Sequence, residues 1–142
     1  MKKAFLPNIF IIILFSCQTT QYSSPESFQG KQIIISENGG FSGQTTQHII
    51  LENGQVFART IFPASLKEMD KLKKKTVQEI FKKVDWLNIS GINFQHPGNM
   101  THSLAFSNGQ ELYEVKWGDP GFQVPDSVQE CYQFIRNQLT TK

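Results

Sequence analysis

The chain has 142 residues, 39% of them hydrophobic and 18% charged, the balance of one globular domain. That balance excludes collagen-like, coiled-coil and wholly disordered chains. Against 12 Asp and Glu stand 14 Lys and Arg, and Lys2 and Lys3 are the only charged residues before Cys17, so the side-chain charge from Cys17 onward is zero. A nucleic-acid binder normally shows a basic excess, which leaves no nucleic acid among the expected partners.

Lys2 and Lys3 precede an apolar run, Ile9 to Phe15, that ends at Ser16-Cys17. The run is shorter than the roughly 20 residues a membrane-spanning helix needs, and residues 1–16 read as an export signal peptide. Leu14-Phe15-Ser16-Cys17 resembles the lipobox of bacterial lipoproteins: Leu14 and Ser16 match the aliphatic and small positions, Cys17 the acylated one, and Phe15 is bulkier than the common occupant. The resemblance implies lipidation of Cys17 with palmitate-type chains and membrane attachment without a spanning helix. Each buried acyl methylene contributes about 0.8 kcal/mol, so two or three chains hold durably. Residues 17–27 are polar and without apolar periodicity, and Gln18 to Ser27 are expected to form a flexible tether of roughly 15–20 Å. No acidic cluster follows Cys17, so the expected location is the cell envelope, lipid-anchored and periplasm-facing or at the outer membrane. Cys131 is the other cysteine, and acylation of Cys17 leaves it without an intramolecular partner. It falls among Val124, Val128, Ile135 and Leu139 at helical spacing and reads as core.

Residues 28–142 read as a single domain. Gln32–Ser36 is a β-branched run bounded by Asn38-Gly39-Gly40, a first strand. Asn53-Gly54 separates Thr45–Glu52 from Gln55–Ile61, and Asn108-Gly109 separates Met100–Ser107 from Gln110–Trp117. Both pairs suit two-residue type I′ hairpin turns. In the second hairpin such a turn sets Leu104 opposite Tyr113, His102 opposite Val115 and Met100 opposite Trp117, with Phe106 on the same apolar face. Thr101, Ser103, Ser107, Gln110, Glu114 and Lys116 then form a wet face. In the first hairpin Ile49, Leu51, Val56 and Ala58 oppose Ile50, Phe57 and Ile61, so either both faces are buried or the turn carries a bulge.

Ser65-Leu66-Lys67-Glu68 has the form of a capping box, which predicts a helix from Ser65 with Leu66, Met69, Leu72, Val77, Ile80, Phe81 and Val84 along one side. Thr76–Glu79 is a second such box, so a break near Lys73–Lys75 is the alternative. A last helix is expected from Asp126, as its cap, to about Leu139. The expected architecture is α+β: an antiparallel sheet of four to five strands covered on one face by two helices.

Motifs that carry chemistry are sparse. His96 and His102 lie across Pro97-Gly98 without metal-ligand spacing, so no metal is expected. There is no Gly-x-Ser-x-Gly elbow, phosphate loop or dinucleotide fingerprint, and no cofactor or catalytic residue is assigned. His102 reads as a core imidazole, or else as the base of a small hydrolase with a nearby carboxylate. His48 is expected opposite Arg59. Lys71, Lys73, Lys74 and Lys75, with Lys82 and Lys83, form a basic stretch that suits a solvated helix face, anionic headgroups or an acidic partner. Three loops remain, Gly39–Gly43, Gln95–Asn99 and Gly118–Gln123, with Phe41 and Phe122 either contact anchors or core lids.

Ser36-Glu37-Asn38-Gly39-Gly40-Phe41 leading into a hairpin, with a two-helix cover, resembles the emfourin family, small bacterial inhibitors of thermolysin-like metalloproteases. The likeness spans most of Phe28–Lys142 and rests on Gly39-Gly40-Phe41 and the order of elements. It implies a protein-binding module that presents loops to a partner. The expected function is therefore a membrane-anchored, non-enzymatic binding or structural module, with Gly39, Gly40, Phe41 and Phe122 as candidate binding residues. A protease inhibitor is the runner-up and a small hydrolase the third reading.

Overall fold

A computed structural model describes residues 20–40 and 43–140. The signal peptide, Cys17 and Phe41 lie outside the described residues. The architecture is α+β, a mostly antiparallel sheet covered by two helices. Its strands are β1 (Gln32–Gly39), β2 (Gln44–Leu51), β3 (Val56–Thr60), β4 (Ser65–Met69), β5 (Gln95–His96), β6 (Met100–Ser107) and β7 (Leu112–Trp117). They lie in the order β4-β3-β2-β1-β6-β7-β5, and only the β5–β7 pairing is parallel. The helices are α1 (Lys74–Leu87) and α2 (Asp126–Thr140).

Seven strands replace the expected four to five. One of the additions is the two-residue β5; the other is β4, which occupies the stretch expected to open the first helix. Both partners of the capping box are engaged elsewhere. The Ser65 hydroxyl lies 2.6 Å from that of Thr60 across the β3–β4 turn, and the Glu68 carboxylate accepts from Gln55 and Gln21. The helix starts instead at Lys74, after the break that was the alternative. Asp126 is the first residue of α2 rather than its cap.

The two Asn-Gly turns differ from their expected form in ways that matter differently. At the β6–β7 turn the Asn108 side chain accepts the amide protons of Gln110 and Glu111, at 2.9 and 2.8 Å, which closes a four-residue loop over Asn108–Glu111. Leu104 then pairs with Val115 and His102 with Trp117, a slip of two residues. An even slip leaves every side chain on its expected face. At the β2–β3 turn Leu51 bonds Gln55 around Glu52-Asn53-Gly54, with Gly54 at φ 94°, a three-residue loop that shifts the register by one. His48 therefore pairs with Ala58, and Arg59 pairs with Gln47 on the other face.

Both faces near that turn are buried. Ile33, Ile35, Ile50, Val56, Leu104, Val115 and Trp117 meet Val77, Ile80, Phe81 and Val84 of α1 and Val128, Cys131, Tyr132 and Ile135 of α2. On the opposite face Ile49, Leu51 and Phe57 pack with Ile34 and Phe28. The cover there is residues 20–31, a strap that includes a 3₁₀ turn at Pro25–Ser27 with Pro25 buried. Tyr22 and Gln55 exchange two hydrogen bonds of 2.9 Å, Glu26 pairs with Arg59, and Gln32 donates to the carbonyls of Pro25 and Phe28. Much of the segment expected to be a free tether is thus laid against the domain.

Candidate functional site

β1 runs from the β2–β3 and β6–β7 turns to the opposite edge, and the loops at that far edge come together. Gly39 has φ 119°, and a Cβ there would collide with the Asn99 carbonyl oxygen; Gly40 donates its amide to the same oxygen at 3.0 Å. Gly98 sits so close to Gly118 that a Cβ would strike the Gly118 carbonyl. Asp119 donates its amide to the His96 carbonyl, and the His96 ring stacks on Phe122 with centroids 3.9 Å apart. All three loops singled out in the sequence therefore meet at one end of the sheet.

Phe122 is half-buried, 5.0 Å from the Phe94 ring and packed on the main core, so it acts as a lid rather than an exposed anchor. Exposed apolar side chains at this end come from residues not singled out. Met100, 49% exposed, reaches Gly40, while Ile61 and Phe62, 39% and 72% exposed, sit in the β3–β4 turn. The Ile61 amide bonds the Thr45 carbonyl, which places that turn beside the β1–β2 loop. The signal for Phe62 was present as Phe62-Pro63 between alternating runs, but the helix assigned from Ser65 concealed the hairpin.

A cleft of about 160 Å³, with Glu37, His48, Tyr132 and Arg136 in its lining, lies just inside this end, between α2 and the sheet. Glu37 accepts from the Tyr132 hydroxyl at 3.0 Å and forms an ion pair with Arg136 at 3.4 Å, and His102 Nδ1 lies 3.2 Å from that hydroxyl and 3.9 Å from the carboxylate. Burial, helped by the charge and hydrogen bond of Glu37, raises the Tyr132 pKa well above its usual value, so the phenol keeps its proton. That is the opposite of an activated nucleophile. Glu37, Tyr132, Arg136 and His102 together tie α2 to β1 and β6 by a satisfied polar bridge. Burial lowers the pKa of His48, on the cleft wall, with Glu37 opposing, so its imidazole resists protonation.

Burial pushes the Cys131 thiol up to about 11, the value of an inert core thiol. Among the described residues no group of three or more His, Cys, Asp or Glu is placed to hold a metal ion, and no helix is long and apolar enough to cross a membrane. A groove of about 600 Å³ runs between α1 and α2, with Trp86, 82% exposed, in its lining. Comparison of the chain with protein-family models gives no match, and comparison with curated proteins gives none either.

Proposed function

We propose that this protein is a lipid-anchored module of the bacterial cell envelope that binds a protein partner through the loop end of its sheet. The observation that carries this is polarity. The described chain starts at Thr20, whose carbonyl accepts from Asn53 in the β2–β3 turn, and Phe62, Ile61 and Met100 are exposed at the opposite end. An anchor at Cys17 holds the first end to the membrane and leaves the second free. Exposed aromatic and Met side chains around a rigid, glycine-packed edge are the composition of a contact surface. Four neighbouring strands at about 4.8 Å spacing spread these residues over roughly 15 Å, a scale suited to a folded partner rather than a small molecule.

Photo-crosslinking in intact cells tests this. Crosslinkers at Phe62 or Met100 are expected to capture one protein in stoichiometric amount, and one at Leu112 is not. Equal capture at both ends, or none at the loop end, would overturn the proposal. Anchoring has its own test, since Cys17→Ala is expected to move the protein from the detergent to the aqueous phase. A second reading, inhibition of a thermolysin-like metalloprotease, draws support from the rigid packing of Gly39 and Gly40 on Asn99. It requires stoichiometric loss of protease activity, reversed by substitutions at Phe62 or Met100.

A further inference from the structure

The strap begins, at Thr20, close to one corner of the domain, and that corner is basic. Thr20 is bonded to Asn53, and the carbonyl of the next residue, Gly54, accepts from Leu72 at 3.0 Å. Thr20 therefore lies beside the Lys71–Lys75 connection that leads into α1. Three peptide steps separate Cys17 from Thr20, a reach of about 10 Å at full extension. That is near the Debye length of about 8–10 Å at physiological salt. Lys71, Lys73, Lys74 and Lys75 are all exposed. Carboxylates around them are few or engaged: Asp70 adjoins, Glu52 accepts from the Lys31 amide, and Glu68 is held by Gln55 and Gln21.

The placement runs against what a helix prefers. An N-terminus carries partial positive charge and favours acids in its first turn. Here Lys73 is the cap residue with no side-chain capping bond, Lys74 and Lys75 open the helix, and the first turn holds no acid. A negative surface facing this corner would offset that repulsion and the mutual repulsion of the four exposed lysines. Leu112, 60% exposed, adds an apolar side chain at the same end.

We infer that Lys71, Lys73, Lys74 and Lys75 rest on the anionic phospholipid headgroups of the bilayer that holds the protein, a conclusion resting on Cys17 as the lipid anchor. The contact fixes the domain upright and directs the loop end away from the membrane. The anchor supplies affinity and the lysines supply orientation.

The test uses the full lipidated chain on two kinds of vesicle, phosphatidylcholine alone and phosphatidylcholine with phosphatidylglycerol. A water-soluble lysine-acylating reagent is applied and each lysine is read by peptide mass spectrometry. On anionic vesicles Lys71, Lys73, Lys74 and Lys75 are expected to react about threefold more slowly than on neutral ones, with the difference lost in high salt as screening shortens. Lys82 and Lys116 serve as controls and are expected to be unchanged. Equal reactivity on both vesicles, with the protein still floating with them, would overturn the orientation and leave the anchor intact. Failure to float with neutral vesicles would overturn the anchor, and the orientation with it. Replacing the four lysines by Gln is expected to keep flotation while a fluorophore at Phe62 moves closer to the bilayer; an unmoved fluorophore counts against the proposal.

Discussion

The two faces of the sheet are closed by different kinds of bonding. On the helix face, α1 and α2 bury a continuous apolar layer from Ile33, Ile50 and Val56 across to Leu104, Val115 and Trp117. On the strap face the apolar layer is small, Ile49, Leu51 and Phe57 beneath Phe28 and Ile34, and the cover is clasped by side-chain hydrogen bonds. Area burial is non-directional and cooperative, whereas a clasp depends on a few groups. The helix face should therefore fail only with the whole domain, and the strap face should be able to open alone. Under the proposed lipid anchor at Cys17, docking of the strap would set whether the domain sits at the membrane or swings on a longer leash.

The largest break in this comparison is on the helix face. Leu104, fully buried between Ile35 and Val115, has nowhere to collapse if truncated. Leu104→Ala is expected to cost about 2–5 kcal/mol of global stability by denaturant unfolding, with hydrogen exchange accelerated across both helices. A loss below about 0.5 kcal/mol would mean that the layer is not the core.

Next comes the clasp. Gln55 is 2% exposed, exchanges two bonds with the Tyr22 backbone and also donates to Glu68. Removing it strands the part-buried amide and carbonyl of Tyr22, so Gln55→Ala is expected to cost about 1–3 kcal/mol. Its signature is local: amides of residues 22–32 should exchange quickly while α1 and α2 stay protected. Uniform acceleration would show that the two faces are one cooperative unit.

The contrast also explains what the sequence could reveal. Helix-face residues of β6, β7 and the two helices were legible because alternation and helical spacing are properties of neighbouring positions, and the two-residue slip at Asn108 left their sides unchanged; in the first hairpin the one-residue shift regrouped Val56 with Ile50 and Phe57 with Ile49 and Leu51. The strap was not legible: Tyr22, Glu26, Pro25 and Phe28 sit in a polar stretch whose partners, Gln55 and Arg59, are about 30 residues away. Nothing local marks a glutamine as a hub. Likewise Ser65 and Glu68 satisfy a capping box in sequence, and only tertiary partners divert them into an edge strand. At the loop end, Gly39 and Gly40 were readable as turn glycines. That their loop would meet Gly98, Gly118 and Phe122 depended on β5 joining the sheet in parallel.

The smallest effect sharpens the comparison through pH. His48 lies on the helix face, walled by Glu37 of β1 and by Tyr132 and Arg136 of α2, and burial lowers its pKa from 6.5. Below that value the unfolded chain binds a proton that the folded chain resists, so stability falls as the pH drops from about 7 toward 5. Glu37 opposes this and keeps the effect modest. His48→Gln should flatten the dependence of unfolding free energy on pH in that window, with the wild-type minus variant unfolding free energy decreasing as pH falls. The strap should not follow: exchange of residues 22–32 measured over the same range, after correction for intrinsic pH dependence, should track wild type in the variant, because Gln55 does not titrate and His48 lies on the other side of the sheet. If strap exchange did change with His48, the sheet would be transmitting the cleft's charge state to the strap face, and the independence of the two faces would be wrong.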